Sequence, residues 1–72
     1  MNKDVLAGNW KQLKGKVKQQ WGKLTDDEVD RMEGNWDRLV GAVQERYGYE
    51  RSKAEEEVNN YLDEVEKEIS EV

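Results

Sequence analysis

Gly8-Asn9-Trp10-Lys11-Gln12-Leu13-Lys14-Gly15-Lys16-Val17 returns 26 residues later as Gly34-Asn35-Trp36-Asp37-Arg38-Leu39-Val40-Gly41-Ala42-Val43. The correspondence continues through Trp21-Gly22 against Tyr47-Gly48. Seven positions between residues 8 and 22 are identical in the two copies: Gly8/34, Asn9/35, Trp10/36, Leu13/39, Gly15/41, Val17/43 and Gly22/48. Chance would give about one, so the chain carries a duplicated unit. Within each copy the apolar residues fall at helical spacing. Trp10, Leu13, Val17 and Trp21 lie within a stripe of roughly 80° at ~100° per residue. The unit is therefore a helix, not a strand. Two copies are too few for a solenoid, which needs at least ~3 repeats, and they fit two helical hairpins packed together.

Working outward, the punctuation sets the remaining elements. Gly22 stands where a left-handed C′ residue would close the first helix. Thr25-Asp26-Asp27-Glu28 reads as a capping box that opens a short second helix carrying Val29 and Met32, closed near Gly34. Asn35 is the N-cap of a third helix with Trp36, Leu39, Val43 and Tyr47 facing inward and Gly48 at its end. Ser52-Lys53-Ala54-Glu55 reads as a second capping box, starting a fourth helix with Ala54, Val58, Tyr61, Leu62, Val65, Ile69 and Val72 at three- and four-residue steps. The expected fold is all-α: four short helices forming two packed hairpins in a small orthogonal bundle. Residues 1–72 form one domain in this reading, with Met1–Ala7 and the last few residues frayed.

The chain has 72 residues, 40% of them charged, and neither Cys nor His. Disulfides, zinc sites, thiol nucleophiles and the commonest general base are thereby excluded. No apolar run reaches the ~18–20 residues of a bilayer span, and Met1–Gly8 lacks a signal-peptide core, so a cytoplasmic location is expected. The acidic runs Asp26, Asp27, Glu28, Asp30 and Glu55, Glu56, Glu57 lack EF-hand spacing, and first-turn acids suit helix dipoles. No catalytic, metal or cofactor-binding residue is expected, and the protein is read as no enzyme. The mid-helix Gly15 and Gly41, each costing ~1 kcal/mol against Ala, are read as points of close approach by another helix.

Charge is divided along the chain. Residues 1–24 carry six Lys and one Asp, whereas residues 25–72 carry six basic and sixteen acidic side chains, within a net charge of −5. Lys11, Lys14, Lys16 and Lys18 are the candidate nucleic-acid contacts, and a lysine-rich amphipathic helix could also rest on an anionic membrane. The plainer reading pairs this basic helix with the acidic fourth helix or leaves it solvated. It is preferred, because the apolar stripe is needed for the core and the whole-chain charge repels polyanions. Trp10, Trp21, Trp36 and Tyr47 are assigned to the core for the same reason, with Tyr49 the ring expected to be exposed.

The pattern GNWxxLxGxVxxxWGxLTDDE, then EGxxDxLVGxxQERYGYxxxxAExEV, resembles the CsbD-like family of small bacterial stress-associated proteins. It covers Gly8–Glu28, Glu33–Tyr49 and Ala54–Val58, about two thirds of the chain. The resemblance implies a small all-helical protein induced in general stress responses, without a defined biochemical activity or catalytic residues. Some relatives carry a label suggesting recognition of mismatched or cruciform DNA. Two functions follow as expectations: a non-catalytic stress protein, protectant or protein-docking, and alternatively a nucleic-acid binder using the first helix. The expected partners are an unknown protein, or a second copy associating weakly through the C-terminal helix, with neither nucleic acid nor membrane expected.

Overall fold

A computed structural model describes residues 3–70. Five helices follow one another: α1 (Lys3–Gly8), α2 (Trp10–Gln20), α3 (Asp26–Met32), α4 (Trp36–Tyr47) and α5 (Arg51–Ser70). No strand occurs among the described residues, and the fold is all-α. The expected pairs form, with α2 against α3 and α4 against α5, while α3 also packs on α4.

The count of four helices is corrected by α1. Residues 3–7, expected to fray, together with Gly8 form a turn and a half of helix that touches both α2 and α4. Six residues cannot hold a helix in water by themselves. Leu6, fully buried, supplies the tertiary contact that does. Met1, Asn2, Glu71 and Val72 fall outside the described residues.

The helix ends follow backbone chemistry, with two corrections. Thr25 and Glu28 form the capping box: Glu28 N–H donates to Thr25 Oγ1 at 3.1 Å, and Thr25 N–H donates to Glu28 Oε1 at 3.0 Å. Asn35 Oδ1 accepts from Arg38 N–H at 3.0 Å. Gly48 closes α4 with φ +70°. Gly22, in contrast, is not left-handed; α2 ends at Trp21, whose N–H returns to the Val17 carbonyl. Beyond that end, Lys18 Nζ reaches forward and donates to the loop carbonyls of Gly22 and Leu24 at 3.3 and 2.5 Å. The second capping box is also absent. α5 starts at Arg51, with Ala54 N–H bonded to the Glu50 carbonyl, which places Ser52 inside the first turn.

One cluster joins all five helices: Leu6, Leu13, Val17, Trp21, Leu24, Val29, Met32, Trp36, Leu39, Val40, Val43, Ala54, Val58, Leu62 and Val65. The repeat's shared stripe supplies its centre. Trp10 and Tyr47 are half-buried against it, and Trp36 places its indole Nε1 3.0 Å from Asn59 Oδ1, to which it donates. The expectation for Gly15 and Gly41 fails, since a Cβ at either position would meet nothing within 4 Å. No helix lies over them. Close approach occurs instead at Gly34, where a Cβ would sit 2.8 Å from Ala7 Cα.

Candidate functional site

The four lysines named from sequence lie along α2, and three of them are engaged within the molecule. Lys14 Nζ meets Asp30 Oδ1 of α3 at 3.4 Å. Lys16 Nζ donates to Glu68 Oε2 of α5 at 3.0 Å, and that hydrogen bond and charge raise the Lys16 pKa. Lys18 holds the two loop carbonyls after α2. Neither Lys18 nor Lys11 makes an ion pair among the described residues, and Lys11 has no side-chain hydrogen bond there either. The partners of Lys14, Lys16 and Lys18 come from three places, α3, α5 and the α2–α3 loop, and Lys14 and Lys18 line one groove between α2 and α3.

Tyr61 ties the same region together. Its ring meets Trp21 edge-on, with centroids 5.2 Å apart, and its hydroxyl donates to the Lys16 carbonyl at 3.1 Å. Burial pushes the Tyr61 pKa up, against the opposing pull of the Lys16 charge. Tyr49 is half-buried rather than open. Its ring stacks on Tyr47 at 5.6 Å, with Lys53 over Tyr49 and Lys23 over Tyr47.

The acidic runs are dispersed. Glu28 serves its cap and pairs with Arg46 at 2.7 Å, Asp30 takes Lys14, Glu55 takes Arg51 and Glu57 takes Lys53. The backbone hydrogen bond from Thr25, with the Arg46 guanidinium, holds the Glu28 carboxyl below the usual range. Among the described residues no group of three or more acidic side chains converges on a point that could hold a metal. None of the described helices is long and apolar enough to cross a membrane.

Two open grooves flank α3. Gly15 lines one of about 350 Å³ between α2 and α3, and Gly41 lines one of about 500 Å³ between α3 and α4. Sequence reasoning missed both, because it placed a helix over each glycine. The signal lay in the glycines themselves: two costly residues at one register of a repeat, off the apolar stripe.

Fold and repeat together define a small all-helical protein built on a duplicated Gly-Asn-Trp helix. The chain belongs to the CsbD-like family, whose model matches residues 4–56. It is 66% identical over 58 residues to the UPF0337 protein YjbJ of Escherichia coli, an alignment covering 81% of this chain and 84% of that one. Identity to the UPF0337 protein ECA0631 of Pectobacterium atrosepticum is 62% over 63 residues, 88% and 91% of the two chains. The UPF0337 protein PA4738 of Pseudomonas aeruginosa shares 49% over 63 residues, 88% and 97%.

Proposed function

We propose that this is a non-catalytic, stress-associated cytoplasmic protein that acts by contact with other proteins, as a protectant or a docking module. The disposition of the α2 lysines carries the reading. Three of the four cations that a polyanion would need have internal partners: Asp30, Glu68 and loop carbonyls. A phosphate contact at Lys14 or Lys16 competes with an internal carboxylate, and the net charge of −5 opposes the approach. The family resemblance supports the link to stress, and the 40% of charged residues supports a solvated, contact-based role.

Titration with duplex and four-way-junction DNA at ~50 and ~200 mM salt separates this reading from nucleic-acid binding, because log K falls by about 0.9 per phosphate contact per decade of salt. The expected result is no binding at either salt. Micromolar, salt-steep binding that disappears when Lys11, Lys14, Lys16 and Lys18 become Gln would overturn the proposal. The positive arm is heat inactivation of a labile enzyme with and without equimolar protein, where retained activity is expected to rise.

A further inference from the structure

The 26-residue register extends beyond the two copies legible in sequence. Leu6, Trp10 and Leu13 match Met32, Trp36 and Leu39, which in turn match Val58, Leu62 and Val65. All of these but Trp10 belong to the buried core, and Trp10 packs against it. The same pairing of a short helix with a long one thus occurs three times, joined in three ways. Between α3 and α4 the join is a locked corner: Glu33 and Gly34 are left-handed, at φ +51° and +79°, and Asn35 caps α4. In α5 the helix runs unbroken through Asn60 and Tyr61, the positions that match Gly8 and Asn9. Between α1 and α2 the join is intermediate. α1 ends at Gly8 and α2 begins at Trp10, so Asn9 alone interrupts the helix, at φ −121° and ψ 23°. Its side chain makes no cap hydrogen bond to α2, and Gly8 is not left-handed.

That weak corner is held from outside. Leu6 sits in the core, Ala7 lies in the notch left by the missing Cβ of Gly34, and Lys3 Nζ stands 4.4 Å from the Trp36 ring centroid. Six ordered residues anchored by one leucine of the core cluster make α1 the part of the fold that opens at least cost. Once it leaves, rotation of Asn9 into helical values joins residues 3–20 into one helix, as α5 already is. Leu6, Trp10, Leu13 and Val17 then form one stripe at steps of four, three and four. The straightened α1 projects about 9 Å beyond α2, at ~1.5 Å per residue, and Leu6 is carried away from its own seat.

We propose that α1 is an exchangeable arm: two copies of this chain, each with its Gly8–Asn9 hinge straightened, trade their α1 segments to form a two-fold dimer. The segment that fits the vacated seat is the one the seat already holds. A two-fold exchange is isologous, so Leu6 of each copy enters the other's core and Lys3 meets the other's Trp36. Core contacts are therefore the same in monomer and dimer. The dimer gains helix continuity at two hinges and loses the freedom of two separate molecules. Exchange belongs to high concentration, and the hinge sets its midpoint. Gly8 resists straightening, because a glycine inside a helix is costly, and a Cβ there would meet nothing within 4 Å.

Sedimentation of the full chain and of Gly8→Ala, from micromolar to millimolar concentration, reads the hinge. Gly8→Ala is expected to tighten the dimer roughly tenfold, a factor of about three at each hinge. Leu6→Ala should abolish the dimer. An equal mixture of ¹³C,¹⁵N-labelled and unlabelled Gly8→Ala chains, at a concentration where they are dimeric, locates the arm. Intermolecular proton contacts between Ala7 of one chain and Gly34 of the other are expected, since these residues touch within the monomer. A Gly8→Ala chain that stays monomeric at millimolar concentration would overturn the proposal. So would a dimer without intermolecular Ala7–Gly34 contacts, which is an ordinary surface association. The labelled mixture decides even where Leu6→Ala fails to fold.

Discussion

Gly34 and Gly41 belong to the same repeat copy and stand under opposite constraints. Gly34 has φ +79°, and a Cβ there would press on Ala7 Cα at 2.8 Å and the Leu6 carbonyl oxygen at 3.1 Å. The obstacle is the backbone of α1, which cannot yield as a side-chain tip would. Gly34→Ala should therefore destabilise by more than the ~1–2 kcal/mol of left-handed strain alone. Gly41→Ala meets open space inside a helix and should stabilise by ~0.5–1 kcal/mol. Thermal melts decide, since ~1 kcal/mol moves Tm by about 4–8 °C in a domain of this size. Trp36→Ala is expected to cost ~3–5 kcal/mol, because the indole is buried and its N–H satisfies Asn59. A Trp36→Ala melt within a few degrees of the parent would contradict that assignment.

At the scale of elements, α3 is seven residues long and depends on its first turn. Glu28 links three partners there: the Thr25 backbone, the Thr25 hydroxyl through its own N–H, and Arg46 of α4. Its folded pKa is depressed below the unfolded value. The stability it contributes is thus present above the usual carboxylate range, near ~4.3, and lost as pH falls through the folded value. Glu28→Gln should flatten that acid limb of the melt profile, and Thr25→Ala should cost ~0.5–2 kcal/mol at neutral pH. The alkaline limb belongs to Tyr61 and Lys16, both raised. Their contributions hold below ~10 and fade as pH rises through the folded values, so Tyr61→Phe should reduce the alkaline sensitivity. Much of this was legible in sequence. The Thr25 box, the Asn35 cap and the Gly48 stop are local signals, and each is realised. What sequence could not show depended on tertiary contact. α1 exists through the burial of Leu6, and α5 begins at Arg51 even though Ser52 carries cap chemistry. The α3–α4 groove escaped for a similar reason: Arg31 and Arg38 sit on different helices, and only packing brings them to one lining.

For the molecule as a whole, the question is how much of α5 the fold requires. The family match ends at residue 56, whereas α5 runs to Ser70. Leu62 and Val65 are 2% exposed, and Tyr61 seals Trp21 and the Lys16 carbonyl. The apolar seam of α5 is thus turned into the core through Val65. Burial of a Val or Leu side chain contributes ~1.5–3 kcal/mol, and a 72-residue domain has a total stability near the low end of ~5–15 kcal/mol. Two such side chains and a tyrosine exceed any surplus of that size. The Lys16–Glu68 pair adds little, since both side chains are largely exposed and such pairs contribute ~0–1 kcal/mol. A chain ending at Asn59 should therefore lose its cooperative melt and most of its near-ultraviolet tryptophan signal. Lys16→Gln in the full chain should shift Tm by only a few degrees. A truncated chain that still melts cooperatively near the parent temperature would show that the core closes without the second half of α5. The reverse outcome would make residues 60–70 as much a part of the folded unit as the duplicated helices.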